Sequence, residues 1–336
     1  MKKTILVFGG AGFIGSFFVK LALKLGFDVV IYDAFTYAAD TERFGETHVD
    51  IYEGDISDVA RLNEVFDIVK PDYIVNFAAE THVDNSIHGN TRKFIDSNIV
   101  GVYNILELLK TQSRNIRFVQ ISTDEVYGSL KSNDKQSNVD SLLNPSSVYS
   151  SSKASADMLC NAYYKTWGVQ VIVTRSTNNY GEWQHPEKLI PFSVLRLLEG
   201  KKLTIYGTGA NIRDWLYVED NVEAIMKCMT DGIVGEVYLI GGSNEHNNLD
   251  IAKKIINDFY CSDEKWEEHV ELITDRPGHD MRYAVNNAKT MSLGWVPKIG
   301  ANKFDEKLNE VVTFYRNNRV WLEHKKAESE INSHIK

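Results

Sequence analysis

Apolar residues in the first half of the chain fall into short runs of strand length separated by longer stretches with helical spacing. Thr4 to Phe8 is the first run, followed by Asp28 to Tyr32, Val49 to Glu53, Tyr73 to Phe77, Arg117 to Ile121 and Val169 to Arg175. Near-continuous apolar runs of this kind read as buried parallel strands. Between them Phe13 to Leu25, a helix that opens near Asp58 and closes at Lys70-Pro71, Phe94 to Leu109 and the stretch carrying Tyr149 to Lys153 have helical spacing. Strand alternating with helix predicts an α/β fold, a Rossmann-like doubly wound parallel sheet with helices on both faces. After residue 175 the alternation loosens: helix Leu189 to Leu198, strand Leu203 to Tyr206, strand Arg213 to Val218 and helix Glu219 to Met229. A smaller C-terminal α/β lobe begins there, and the last amphipathic helix runs from roughly Phe304 to Glu323, with Lys325 to Lys336 read as frayed.

The first strand empties into Gly9-Gly10-Ala11-Gly12-Phe13-Ile14-Gly15, directly ahead of the first helical stretch. Glycines at 9, 12 and 15 let the backbone turn tightly, approach a pyrophosphate and pack helix on strand, and the free N–H groups of the helix start face the phosphates. The second strand ends at Asp33, eighteen residues past Gly15, where a carboxylate accepts the hydrogen bonds of an adenosine ribose diol and favours NAD over NADP. Asp55, after the third strand, either flanks an adenine or caps the helix that starts near Asp58. Small residues at the end of the fourth strand, Ala78 and Ala79, let a flat cofactor lie close, and His82 in the same loop reads as a packing or hydrogen-bonding residue.

Chemistry concentrates at the fifth strand. Thr123, Asp124 and Glu125 leave its carboxyl end, where open α/β sheets place ligands, and two adjacent carboxylates there suit acid/base work. Tyr149 and Lys153 are four apart on one helical face, and an ammonium beside a phenol lowers its pKa toward a range useful for taking a proton from an alcohol. The polar stretch from 129 to 146 reads as a mobile loop, either a lid or a solvated surface. The second lobe carries dispersed anion-binding candidates, Lys188, Arg213, Arg276 and His279.

Composition narrows the function classes. With 336 residues and a formal net charge of -9 without a basic run, the chain is not expected to bind nucleic acid or an anionic membrane. Cys160, Cys228 and Cys261 are far apart, odd in number and without metal-ligand spacing, so neither a disulfide framework nor a metal is expected. The apolar run after Met1-Lys2-Lys3 breaks into glycine within six residues, too soon for a signal peptide, and the reading is cytoplasmic.

Together these runs resemble the extended short-chain dehydrogenase/reductase family, and within it the nucleotide-sugar 4,6-dehydratases, closest to the branch acting on dTDP-glucose. The resemblance rests on the glycine run at 9 to 15, Ala-Ala-Glu-Thr-His-Val-Asp at 78 to 84, Ser-Thr-Asp-Glu-Val-Tyr-Gly at 122 to 128 and Tyr-Ser-Ser-Ser-Lys at 149 to 153. Asn-Asn-Tyr-Gly at 178 to 181, Pro-Glu-Lys-Leu-Ile-Pro at 186 to 191, Arg-Asp-Trp-Leu-Tyr-Val at 213 to 218 and Asp-Arg-Pro-Gly-His-Asp at 275 to 280 extend it. It implies NAD held by Gly9, Gly12, Phe13, Ile14, Gly15, Asp33, Ala34, Thr36, Asp55, Ile56, Ala78, Ala79, Ser97, Tyr149, Lys153 and Asn179. It implies a nucleotide sugar held by Thr81, Thr123, Asn178, Lys188, Leu189, Tyr206, Arg213, Asn248, Arg276 and His279.

The implied reaction oxidises carbon 4 of the sugar, with Tyr149 taking the hydroxyl proton and Thr123 bonding the sugar oxygen. Glu125 then removes the carbon 5 proton while a protonated Asp124 serves the departing 6-hydroxyl, and hydride returns to carbon 6. The implied domains are 1–175, NAD-binding and catalytic, and 176–325, mainly substrate-binding with some elements returning to the first, with 326–336 a flexible tail. A homodimer paired through the Phe94 and Tyr149 helices is expected. Departures are Phe8 for a usual threonine, Asn85 for an arginine, Thr204 for a proline and a shortened loop after Tyr37-Ala38-Ala39-Asp40; the second and third bear on which nucleotide is accepted. A UDP-glucose dehydratase and a 4-epimerase are the alternative enzymes, though epimerases carry small residues where Asp124 and Glu125 stand. A protein that merely senses NAD has little need of Tyr149, Lys153 and both carboxyls together.

Overall fold

In the computed structural model, which describes residues 2–334, the first strand is the hinge of the whole arrangement. Along β1 (Thr4–Phe8) the side chains alternate: Ile5 and Val7 join Phe18, Val19, Ile225 and Met229 on one face, Leu6 and Phe8 join Phe66, Ile105, Leu106 and Cys160 on the other. Both faces are apolar, so a strand of this composition is stable only between two helical layers. β2 (Asp28–Asp33), β3 (Asp50–Glu53), β4 (Tyr73–Asn76), β5 (Arg117–Thr123) and β6 (Val171–Ser176) complete the first half of the chain.

Beyond them come β7 (Asn178–Tyr180), β8 (Leu203–Tyr206), β9 (Ile212–Tyr217), β10 (Val237–Ile240), β11 (Glu245–Asn247) and β12 (Val270–Ile273). The main sheet has the order β10-β6-β5-β4-β1-β2-β3, and each of its neighbours is parallel. Strand order reverses between β1 and β4, so the crevice at their carboxyl ends is the topological switch point. The doubly wound expectation is met. β10 and the helix Val218–Asp231 return from the second half to this sheet, the helix packing against Phe13–Lys24. The lobe keeps two small sheets, β11-β9-β7 and β12-β8, over a core that includes Ile190, Val194, Trp215, Ile251, Phe304 and Tyr315.

Local chemistry sets the helix that bears Tyr149 and Lys153. Ser147 accepts from the Ser150 N–H and the Ser150 hydroxyl accepts from the Ser147 N–H, a reciprocal cap that starts Val148–Trp167 just ahead of Tyr149. Gly168, at φ 71, ends it in the left-handed conformation.

Several expectations need correction. The helix drawn from Phe94 to Leu109 starts at Arg92, ends at Lys110 and contains a π-helical segment, Asp96–Gly101. That widened segment turns Asn98 inward, where its side chain holds both the N–H and the carbonyl of Glu80 and donates to Ser152 at 2.9 Å. The single C-terminal helix is two, Phe304–Asn317 and Arg319–His334, and the second continues through most of the segment read as a tail; Ile335 and Lys336 lie outside the described residues. The stretch from 129 to 146 is tied down: Leu130 and Ser137 bridge to Arg282 and Val285, and Arg282 donates to the Asp134 carbonyl at 2.8 Å. Asp58 caps the helix Val59–Val69 with its own side chain, so Asp55 is not the cap. No helix of the described residues is long and apolar enough to cross a membrane.

Candidate active site

Three cavities open at the switch point and share walls. Gly9, Gly12, Phe77 and Ala79 line both the central and the outer one, while Thr81, Glu125, Asn178, Glu187 and Lys188 line both the central and the lobe-side one. The result is one continuous cleft from β2 to the lobe.

Its outer end fits a dinucleotide. A Cβ on Gly15 would stand 2.3 Å from the Gly9 carbonyl, and one on Gly9 would stand 2.5 Å from the Ala78 N. Only glycine lets this turn close, and Gly9 also takes φ 69. No side chain caps the helix start at Gly12, which leaves its N–H groups and dipole for an anion. Asp33 ends β2 with each carboxylate oxygen accepting one backbone N–H, from Ala11 and from Phe35, both at 2.9 Å. The carboxylate thus holds the glycine turn and retains lone pairs toward the cavity. Asp33, Ala34, Thr36, Asp55, Ile56, Ala78 and Ser97 line this end, and Phe13, Ile14, Gly15 and Asn179 the central part.

The acid/base residues converge in the centre. Thr123, Asp124, Glu125, Tyr149 and Lys153 all line the same cavity. Asp124 is 3 % exposed and one of its oxygens, Oδ2, has no hydrogen-bond partner among the described residues. Burial, then the charges of Glu125 and Asp214, push its pKa well above the carboxylate range. Burial also raises Glu125, but Arg213, Arg276 and Lys188 pull it back. Surroundings therefore separate two adjacent acids, Asp124 keeping its proton and Glu125 the readier to lose one.

The phenol departs from expectation. Burial and the charges of Glu125 and Asp124 push Tyr149 up, and only the hydrogen bond from Thr123 pulls it down. Lys153, lowered by burial to about 8, donates to the Ile121 carbonyl at 2.6 Å instead of stabilising a phenolate. A buried network backs this pair: Asp157 accepts from Ser122 at 3.0 Å and from Arg175 at 2.8 Å, and Arg175 donates to the Tyr127 hydroxyl at 2.6 Å.

Lobe-side walls are made by Thr81, Asn178, Lys188, Leu189, Tyr206, Arg213, Asn248, Arg276 and His279, which the topology gathers from the loop after β4, from β7, β8 and β9, from the starts of the helices Leu189–Leu198 and Asn248–Tyr260, and from the 275–280 turn. Arg213 donates to the carbonyls of Ile212 and Asp280 and lies 4.4 Å over the Tyr283 ring. Thr204 is also in this wall, whereas Asn85 sits on the helix Val83–His88 with its side chain outside the described residues.

Sequence reading missed one cluster. Glu187 lines the central and lobe-side cavities, and lies 3.3 Å from Lys188, 3.6 Å from His185 and 3.9 Å from His82, with the Tyr37 phenol helping to hold its charge. Burial works against its charge, but Lys188 and the two histidines hold its carboxyl below the usual range. Burial lowers both His82 and His185, the latter to about 4, while the charge of Glu187 pulls each back up. An acid directly beside a cavity lysine was the available signal, but Tyr37 and the histidines come from distant loops.

Comparison with known proteins shows the family. A family model described as GDP-mannose 4,6 dehydratase matches residues 6–308. A dTDP-glucose 4,6-dehydratase of Neisseria meningitidis serogroup B is 42% identical over 95% of this chain and 95% of its own. Among solved structures, a dTDP-glucose 4,6-dehydratase from Bacillus anthracis in complex with NAD superposes with a TM-score of 0.86 at 41% identity, covering 96% of this chain and 99% of that one. One from Streptomyces venezuelae with NAD bound gives 0.88 at 37% identity and the same coverage.

Proposed function

Because the chain belongs to the GDP-mannose 4,6-dehydratase family, we propose that it catalyses the NAD-dependent dehydration of a nucleoside-diphosphate glucose, dTDP-glucose above others, to the 4-keto-6-deoxy sugar. The enzyme is a hydro-lyase. The observation that carries this reading is the pair Asp124 and Glu125, one held protonated and the other flanked by cations, set beside Tyr149 in the cavity that joins the two ends of the cleft. A simple epimerase has no use for a divided acid pair.

NAD, when bound, supplies the two-electron acceptor for carbon 4 and the donor for carbon 6, and its oxidised ring brings a positive charge to this cavity. The glycine turn, the uncapped helix start and Asp33 would hold it, with Lys153 free to give its two remaining N–H groups to a ribose. The positive charge of the oxidised ring would oppose the burial and carboxylates that raise Tyr149, and as phenolate Tyr149 would take the 4-hydroxyl proton. The Thr123 hydroxyl, which rests on Asp124 Oδ1 at 3.3 Å, would turn to the sugar oxygen. The carbon 4 ketone acidifies carbon 5, whose proton Glu125 accepts as carboxylate. Asp124 donates its retained proton to the leaving 6-hydroxyl, which departs as water. Glu125 returns its proton to carbon 5, and the proton gained by Tyr149 balances, through solvent, the one given by Asp124.

Support for a homodimer comes from the helices Val102–Lys110 and Val148–Trp167, which carry exposed Tyr103, Met158 and Trp167. A cytoplasmic location accords with unpaired Cys160 and Cys228 in the core. The deciding experiment is mass spectrometry of the protein incubated with NAD and, separately, dTDP-, UDP-, CDP- and GDP-glucose. Loss of one water from the dTDP sugar is expected. Loss from the UDP sugar alone would reassign the base, and a 4-epimer of unchanged mass would overturn the dehydratase.

A further inference from the structure

The lobe-side cavity, walled by Lys188, Arg213, Arg276 and His279, is crossed by a carboxylate from the opposite half of the molecule. Asp84, on the helix Val83–His88 that follows the β4 loop, accepts from Arg276 Nη1 at 3.0 Å through one oxygen and from the Tyr206 hydroxyl at 3.1 Å through the other. Burial works against the charge of Asp84, but the bond from Arg276 and its charge hold the carboxyl below its ordinary range. Arg276 is not used up by this contact. Its Nε is buried and has no hydrogen-bond partner among the described residues. The other cations are engaged differently: Arg213 with backbone carbonyls, Lys188 with the Thr81 carbonyl and its neighbour Glu187, His279 with Asp275.

We propose that Asp84 is a resident competitor of the substrate: it holds Arg276 and Tyr206 across the cavity, yields them to the diphosphate of the incoming nucleotide sugar, and retakes them when the product leaves. The proposal rests on the nucleotide-sugar reading above. A guanidinium presents its donors as a planar fork that suits carboxylate and phosphate alike, so the two anions contend for one group. Asp84 also faces the diphosphate as a like charge. Part of the attraction between Arg276 and the diphosphate is therefore spent in parting the pair, which weakens binding of substrate and product together and speeds release. Asp84 is in this sense a positioning residue that sets affinity and turnover without touching the reacting carbons.

Asp84→Asn tests this, because the amide keeps the size of the side chain and its capacity to accept a bond while removing the charge. Calorimetric titration with thymidine diphosphate is expected to show about tenfold tighter binding than in the wild type. Steady-state kinetics should show KM lowered and kcat lowered with it as release slows. The gain must disappear when Arg276→Met is placed in both backgrounds, which a merely structural role of Asp84 would not produce. Weaker or unchanged binding in Asp84→Asn, or a gain that survives Arg276→Met, overturns the proposal. A wild-type protein that binds no nucleoside diphosphate overturns the nucleotide-sugar reading itself, and this inference with it.

Discussion

Asp124 and Glu125 share a peptide bond and differ in what surrounds them, and the chemistry follows from that difference. Glu125→Gln removes the base while keeping shape, so dehydration should fall by 100-fold or more, on the order of a lost general base, while NAD still binds, as a fluorescence titration would show. Turnover needs Glu125 ionised and Asp124 protonated, so it should rise with pH through the raised pKa of Glu125 and fall through the still higher one of Asp124. Asp214, itself raised by burial to about 6, is ionised at neutral pH and is one cause of the high Asp124 value. Asp214→Asn should therefore move the alkaline fall in kcat to lower pH and leave the acid limb in place; an unmoved alkaline limb would remove Asp214 from the account. At this scale the motif residues were legible, since turn, strand end and helix face are local properties. The direction of the Tyr149 shift was not, because it depends on burial and on carboxylates arriving from β5, and Lys153 turns to a carbonyl no spacing rule reveals.

Elements bring their own dependencies. The turn between β1 and the helix Phe13–Lys24 has no room for a methyl group at position 15, where the clash is with backbone. Gly15→Ala should give a protein that purifies without bound NAD and shows no binding in titration. A less local support is the final helix, whose Trp321 indole donates to Asp40 at 2.7 Å while Lys325 lies 3.4 Å from the same carboxylate. Asp40 closes the loop that carries Thr36 and Tyr37, and the neighbouring Arg43 ties that loop to the Ala11 and Trp183 carbonyls. Trp321→Phe deletes the donor together with half of the buried indole, so the loss of a bond to a charged acceptor, about 2 kcal/mol, adds to a loss of packing against Trp183 and Tyr315. A melting temperature lowered by a few degrees, with weaker NAD affinity, would show that the helix holds the cofactor loop. Amphipathic spacing predicted helix over 304–323 correctly in kind, yet it could not show the break at Asn318 or that the second segment reaches back to residue 40. The polar 129–146 stretch shows the same limit, since no spacing reveals that Arg282, far along the chain, tethers it at Asp134.

For the whole molecule, the proposed homodimer would place exposed Tyr103 and Met158 against a second copy. Tyr103→Glu with Met158→Glu should convert a dimer to monomer in sedimentation velocity; a wild type that already sediments as a monomer would refute the pairing. The alternation of strand and helix made the parallel sheet legible from the start, because each βαβ step is short in sequence. What stayed hidden was how the second half is sewn into the first: β10 pairs with β6, and Ile225 and Met229 of the helix before it share a core with Val19 and Ile31. This stitching bears on how the protein can be re-engineered. A chimaera that swaps everything beyond residue 176 for the corresponding part of a cousin would exchange an edge strand and half of a helical layer along with the specificity walls, and should aggregate unless those contacts match. Recombination has better prospects in small cassettes, the 186–192, 204–206 and 275–280 segments, grafted into an otherwise intact host.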